Sequence, residues 1–269
     1  MISKADLPLS WWGQYEFDYD QVKLWHIGPL TLIIRCVKGE WQIAHERNEE
    51  FDETNTSFEV KDTDRLPGAL ATISRYVFSE SNRVIYLNPL LADRPVISRP
   101  QIPFYLAPGE DVTLYVSSPL WVSLEAGTSQ TKQMEEIAIQ QPSDTWFGPS
   151  TTVGEICYAS STHCRIDLAE LPQRSHRAIT PVLIRNQAST TLSLERLNVP
   201  TPLLALYSSA DGQFWTPRIT LVREKDGDLA ALKIDSNPPD EAKQAVQLAK
   251  PRKKAGTSTL IQAFNAIFS

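Results

Sequence analysis

The residues best suited to bind a metal lie close together in the second half of the chain: Cys157, His163 and Cys164. Cysteine and histidine are the usual protein ligands of zinc. His163 and Cys164 are adjacent, however, so in a strand their side chains would point to opposite faces. The four histidines of the chain also lack the three-to-five spacing of a helical metal pair. The sequence therefore predicts ordinary thiols, with no metal and no cofactor.

Carboxylates are the other candidates for chemistry. Glycosidases built on β folds bring Asp and Glu together from distant strands, so Glu125, Asp144 and Glu155 could meet without any sequence spacing to show it. The chain has no Gly-x-Ser-x-Gly elbow, phosphate-binding loop or dinucleotide fingerprint. These observations favour a non-enzymatic protein. The alternative is a ligand- or carbohydrate-binding β-sandwich protein, or a cryptic carboxylate-based hydrolase.

The segment 144–149, Asp-Thr-Trp-Phe-Gly-Pro, places two large aromatic residues side by side before Gly and Pro. One ring can plug the core while the other lies near the surface, where aromatic residues are good recognition anchors. We interpret Asp144, Trp146 and Phe147 as a candidate surface aromatic loop, and a purely structural plug is the competing interpretation.

An apolar stripe marks the end of the chain. It consists of Leu260, Ile261, Phe264, Ile267 and Phe268. At about 100° per residue these side chains share one side of a helix. A basic stretch containing Pro and Gly precedes them and reads as a tether. The pattern predicts an amphipathic C-terminal helix that becomes ordered only when it docks on a surface.

The elements that position these residues read as β-strands. Tyr15, Phe17 and Tyr19 alternate with acidic residues, which is the period of a half-buried strand. Two runs from Leu30 and from Glu40 flank Lys38-Gly39, a pairing typical of a tight hairpin. No long helix alternates with the strands, so a parallel α/β sheet is disfavoured. The sequence predicts an all-β, antiparallel, β-sandwich-like fold with a short helical C-terminal tail.

The length of 269 residues fits two β units better than one. A proline cluster places the predicted boundary near residue 98, giving an N-terminal β unit at residues 1–98 and a C-terminal β-sandwich at residues 99–235. The remaining residues, 236–269, form the predicted tail, with short helices and a basic linker. The first of those helices is expected over Ala242 to Ala249, after carboxylates suited to a helix start.

Composition indicates the cellular compartment and disfavours some classes of partner. The net charge is −6, yet the tail carries five basic and two acidic residues, so the body is strongly acidic. An acidic body disfavours nucleic-acid binding, which needs clustered Lys and Arg. Three scattered cysteines, no signal peptide and no apolar run of about 18 residues predict a cytoplasmic protein.

Several short segments, in this order, resemble one uncharacterised family, domain of unknown function 432. They are Asp144-Thr-Trp-Phe-Gly-Pro, Gly154-Glu-Ile-Cys-Tyr-Ala, Ile179-Thr-Pro-Val, Asn186, Val199-Pro-Thr-Pro, Tyr207 and Phe214-Trp-Thr. The resemblance spans about Val22 to Ile234 and leaves the tail out. It implies no catalytic residues, because the family has none assigned. It does imply association with mechanosensitive channels, and hence a membrane-protein partner.

The sequence thus predicts an accessory or regulatory protein that binds another protein, possible partners being a membrane channel or a second copy of the chain. In this hypothesis the apolar stripe enters a groove of the partner. The stripe could equally cover a patch on its own body. A membrane-surface role is disfavoured, because the polar side of the predicted helix has no basic residue.

Overall fold

The computed structural model describes residues 10–48, 57–67, 73–79, 82–128, 131–162, 165–254 and 259–265. Within these ranges the protein is all-β, with several antiparallel sheets and no helix of seven or more residues. The described chain contains short 3-10 helices at Leu168–Glu170, Thr201–Leu203 and Asp240–Ala242. The predicted all-β class is therefore confirmed, and the predicted helical tail is wrong for the described residues of the tail.

The chain forms two compact units, each drawn from separate stretches of sequence. Unit 1 comprises residues 1–90, 120–141 and 173–176, and unit 2 comprises residues 91–119, 142–172 and 177–269. Residues 120–141, which the sequence analysis assigned to the second β unit, thus pack with the first. Whether residues 98 and 235 bound independently folding domains stays a prediction.

The described residues of unit 1 form two sheets. Its strands are β1 (Gly13–Glu16), β2 (Val22–Ile27), β3 (Leu30–Val37), β4 (Glu40–Arg47), β5 (Phe58–Asp62), β6 (Ile73–Val77), β7 (Val84–Leu90), β11 (Trp121–Ala126) and β12 (Lys132–Ala138). One sheet has the order β5-β2-β3-β4-β6 and the other β1-β7-β11-β12. The apolar side chains of β2, β3 and β4 alternate inward, and Trp25 and Trp41 are almost fully buried. Phe17 packs edge-on against Trp41, with ring centroids 5.1 Å apart.

Unit 2 holds the remaining strands. They are β8 (Val96–Pro100), β9 (Phe104–Leu106), β10 (Asp111–Pro119), β13 (Ser143–Phe147), β14 (Glu155–Thr162), β15 (Arg177–Asn186), β16 (Leu192–Leu194), β17 (Leu197–Val199), β18 (Leu206–Ser208), β19 (Phe214–Trp215), β20 (Ile219–Arg223), β21 (Leu229–Ile234), β22 (Val246–Ala249) and β23 (Thr259–Gln262). The largest sheet follows the order β22-β18-β19-β15-β20-β21-β23, with β10 also paired to β15. A second sheet has the order β13-β14-β8-β17, and β16 pairs with β9. The prediction of antiparallel pairing is wrong at three places in unit 2, because β15 pairs in parallel with β19 and β20, and β14 pairs in parallel with β8.

Two predicted helices of the tail are strands in the described residues. The predicted helix over Ala242–Ala249 is wrong, because Val246–Ala249 is strand β22, paired with β18. The predicted amphipathic C-terminal helix is also wrong in its described part, because Thr259–Gln262 is strand β23, paired with β21. A helix this short gains little from its own hydrogen bonds. The edges of the large sheet offer backbone partners instead, and that tertiary contact outweighs the local helical pattern.

The basic stretch before β23 is hydrogen-bonded to unit 2 rather than spanning space as a tether. The Arg252 Nε donates to the carbonyl of Leu91 at 2.9 Å, and the Lys253 amide donates to the carbonyl of Pro202 at 2.8 Å. Residues 246–254 therefore follow the surface of their own unit.

Candidate functional site

The cysteine and histidine cluster predicted from the sequence lies only partly in the described residues, since His163 and Cys164 fall outside them. Cys157 is fully buried on β14 beside Phe147 and Ile97. Across the described ranges, no group of three or more His, Cys, Asp or Glu side chains is placed to hold a metal ion. Cys157 therefore packs in the core of unit 2.

We expect both described cysteines to resist alkylation in the native protein. Burial raises the pKa of Cys36 to about 11 and, with a smaller contribution from Glu155, that of Cys157 to about 12. The reactive thiolate is therefore scarce at neutral pH, and access is blocked as well. Iodoacetamide treatment followed by peptide mass spectrometry should label them only after denaturation. Native labelling of either cysteine at the rate of the denatured chain would contradict this expectation.

The three carboxylates named as a possible catalytic set are not brought together as a set. Glu125 belongs to unit 1, where its Oε1 accepts a 3.3 Å hydrogen bond from Asn88. In unit 2 the hairpin of β13 and β14 places Asp144 and Glu155 on opposite faces, because Asp144 lies opposite Tyr158 and Glu155 lies opposite Phe147. Asp144 is ion-paired with Arg94 at 3.3 Å. The alternation of the strands therefore separates these two carboxylates.

The segment predicted to be an aromatic loop is strand β13 instead, and it divides its two rings between the core and the surface. Phe147 is 1% exposed, whereas Trp146 is 39% exposed and donates from Nε1 to the carbonyl of Ser150 at 2.8 Å. Ile156 lies opposite Trp146 in the ladder and is also exposed. Trp146 and Ile156 thus form an apolar pair on the open face of the hairpin. Whether this pair binds a partner stays a prediction.

Glycines allow the two arms of this hairpin to approach closely. A Cβ placed on Gly154 would lie 2.6 Å from the carbonyl oxygen of Phe147 and 2.9 Å from Cε2 of Trp146. A Cβ on Gly148 would meet the carbonyl oxygen of Val153 and the Cα of Gly154. Neither position can accept a larger residue without movement of the backbone or of the indole. The shape of the hairpin end therefore depends on both glycines.

A groove of about 850 Å³ lies beside this hairpin, entirely within unit 2. Its lining comes from the hairpin end, from the turn between β20 and β21, and from β23. The residues are Phe147, Gly148, Pro149, Val153, Gly154, Glu155, Val222, Glu224, Lys225, Asp226, Gly227, Asp228, Leu229, Ala231, Leu260 and Gln262. We call this the β20–β23 groove. Its volume falls within the range of small-molecule pockets in proteins.

The floor of the β20–β23 groove is a row of apolar side chains across three strands. Val222 pairs with Ala231, and Ala231 pairs with Leu260, so the three project from the same face of the sheet. Leu260 is 65% exposed, Val153 59% and Leu229 49%. Contiguous exposed apolar side chains of this kind are typical of interaction surfaces.

The rim of the groove is acidic. Among the described residues that line it are four carboxylates and one lysine, Lys225. Asp226 is held in place: its carboxylate accepts hydrogen bonds from Ser189 and Thr190, which lower its pKa. Asp228 has the opposite shift, because partial burial raises the pKa of its carboxyl group. The groove thus combines an apolar floor with negative charge at its edge.

A buried arginine positions the rim. Arg223 is 5% exposed, at the end of β20. Its Nε donates to the carbonyl of Gly227 at 2.8 Å, and its Nη1 donates to Asn186 Oδ1 at 3.0 Å and to the carbonyl of Thr190 at 2.8 Å. This network fixes the turn from Glu224 to Asp228, because one end of the guanidinium is bonded inside the turn and the other to β15 and its loop.

The residues of the apolar stripe at the end of the chain differ in burial and in surroundings. Leu260 lines the groove, Ile261 is half-buried, and Phe264 is completely buried in unit 2, where it forms a bridge with Leu197. The backbone amides of Ala263 and Phe264 donate to the carbonyl of Asp228 at 2.9 and 3.2 Å. The remaining two residues of the stripe, Ile267 and Phe268, lie outside the described residues.

The structure therefore joins two features that the sequence showed separately, since Phe147 and Leu260 line one groove. Sequence reasoning missed Val153 and the turn from Glu224 to Asp228 as parts of a site. The available signal was the charged run between two apolar strands, which reads only as a solvated turn until the neighbouring hairpin is in place.

No helix in the described ranges is both long enough and apolar enough to cross a membrane. No curated protein and no solved structure matches the chain. A family model does match, and it covers residues 11–268, including the segments whose resemblance the sequence analysis noted and most of the tail that it left out. The chain therefore belongs to the family described as protein of unknown function (DUF432).

Proposed function

We propose that this is a non-enzymatic, cytoplasmic binding protein of β-sandwich-like architecture, and that its β20–β23 groove holds a segment of a partner protein. The observation that carries the proposal is the row Val222, Ala231 and Leu260, an apolar floor left open between the hairpin and the turn after β20. Covering such a surface is favourable in proportion to the apolar area removed from water.

The charge of the groove indicates the kind of segment. Four carboxylates against one lysine at the rim favour a partner segment that carries Lys or Arg beside apolar residues. The family resemblance implies a membrane-channel partner. Cytoplasmic segments next to membrane spans are rich in Lys and Arg and run into apolar sequence, so they have this chemistry. A channel subunit is therefore the partner class that we propose.

We expect a substitution in the floor of the groove to abolish peptide binding without unfolding the protein. A phage-displayed random peptide library would be selected on the immobilised full-length chain. Enriched peptides should bind the wild type and bind Leu260→Glu at least about tenfold more weakly, since the new carboxylate lies on the apolar floor. Fluorescence polarisation of the labelled peptides measures both affinities.

Val246→Glu is the matched control. Val246 is 67% exposed and lies on β22, at the other end of the same sheet order. It should leave peptide affinity unchanged, and thermal melting should show both variants folded. Failure to enrich any peptide, or equal affinity of the wild type and Leu260→Glu, would count against the proposal. So would a homodimer that Leu260→Glu converts to a monomer, because the occupant would then be a second copy.

A further inference from the structure

The backbone of Asp228 is fixed by hydrogen bonds, while its carboxylate can accept hydrogen bonds from a ligand. Its carbonyl oxygen accepts from the amides of Ala263 and Phe264, which fixes the residue beside β23. Its half-buried carboxylate lines the groove and makes no hydrogen bond or ion pair with any described residue. A partly desolvated carboxylate without a donor is unfavourable, so this position gains from an external cation.

The nearby Arg223 does not donate a hydrogen bond to the Asp228 carboxylate. Arg223 is the positive group that acts on Asp228, but its guanidinium is committed to Gly227, Asn186 and Thr190. The neighbouring Asp226 differs from Asp228, because Ser189 and Thr190 already donate to it. Within the turn, Asp228 is therefore the carboxylate that is both partly buried and unpaired among the described residues.

The position of Asp228 sets what an occupant must contain. It directly precedes Leu229, which lines the groove and pairs with Gln262 of β23. A ligand seated on the apolar floor thus meets Leu229 and Leu260 with its apolar part and Asp228 with its polar part. A side chain with N–H donors and positive charge satisfies the carboxylate best, because charge-assisted hydrogen bonds are the stronger ones.

We propose that Asp228 is the specificity determinant of the groove, and that it receives a Lys or Arg side chain of the partner segment next to an apolar residue packed on Leu229 and Leu260. This inference rests on the proposed function, because it names the chemistry of the occupant of the same groove. A basic peptide is the occupant that the acidic rim and apolar floor favour together.

The test is a double-mutant cycle between the protein and one selected peptide. The probe is the tightest binder from the random peptide selection described above, in two forms, one with its basic residue and one with norleucine there. Asp228→Asn keeps the size of the side chain and removes its charge. It should weaken binding of the basic peptide by about tenfold and change binding of the norleucine peptide less than about twofold.

Asp226→Asn is the matched control in the same turn. After this change the amide oxygen can still accept from Thr190 and the amide nitrogen can donate to the Ser189 hydroxyl, so the turn keeps its contacts. Because Asp226 is exposed, the loss of its rim charge should weaken binding of the basic peptide by no more than about twofold. Thermal melting of each variant confirms that the turn is intact.

The outcomes separate the two proposals. Equal weakening of both peptides by Asp228→Asn, or no weakening, would overturn the role of Asp228 while leaving a peptide groove in place. Selected peptides without Lys or Arg that still lose affinity for Leu260→Glu would do the same. A selection that yields no peptide sensitive to Leu260→Glu would overturn the proposed function itself.

Discussion

Phe264→Ala should lower the free energy of unfolding by about 3–5 kcal/mol, because it removes a completely buried aromatic side chain and leaves a cavity. Phe264 is bonded through its amide to Asp228 and bridges Leu197, so the surrounding backbone has little freedom to collapse into the space. Chemical denaturation followed by tryptophan fluorescence measures the change.

Leu260→Ala is the control for this substitution. Leu260 lies four residues earlier in the same apolar stripe, yet it is 65% exposed. Its truncation should change stability by less than about 0.5 kcal/mol. Similar losses for the two variants would contradict the placement of Phe264 in the core of unit 2. A large difference would show that the stripe is divided between core and surface.

Arg223→Met should lower the free energy of unfolding by about 3–4 kcal/mol. The guanidinium donates to four acceptors on Gly227, Asn186 and Thr190, and hydrogen bonds from a charged group contribute about 1.5–3 kcal/mol each without being additive. Methionine fills much of the space but donates nothing, so the buried oxygen of Asn186 loses its charged partner. Equilibrium urea denaturation measures the loss of stability.

The same substitution at an exposed arginine shows whether burial matters. Arg185 on β15 is 45% exposed and pairs with Asp111 at 3.1 Å. Arg185→Met should cost no more than about 1 kcal/mol, since solvent screens an exposed ion pair. Equal costs at the two arginines would refute the network that we assign to Arg223. Retained peptide binding in Arg223→Met would show that the turn keeps its shape without the guanidinium.

Local patterns predicted some elements closely. The hairpin around Lys38-Gly39 is confirmed as β3 and β4, because the apolar alternation and the glycine turn specify the same register. The half-buried strand predicted through Tyr15, Phe17 and Tyr19 is shorter in the structure, because β1 ends at Glu16 and Tyr19 is 44% exposed. Alternation sets the two faces of a strand but not where its pairing partner ends.

The tail shows where local reasoning failed. Leu260, Ile261 and Phe264 fit a helical stripe, but three apolar residues in so short a run fit a strand as well. The choice depended on the open edge of β21, which is formed by residues about thirty positions earlier in the chain. Asp228 likewise reads as an ordinary turn carboxylate, and only the structure shows that it is half-buried and that its carbonyl accepts from the amides of Ala263 and Phe264.

By itself, the sequence determined the all-β class and the absence of long helices in the described chain. These follow from residue type and a period of two, which act over neighbouring positions. The tertiary structure alone decided that the end of the chain is a strand, and that Phe147, Asp228 and Leu260 share one groove. Sheet edges and grooves arise from contacts between distant segments, and the energy of those contacts is absent from any local pattern.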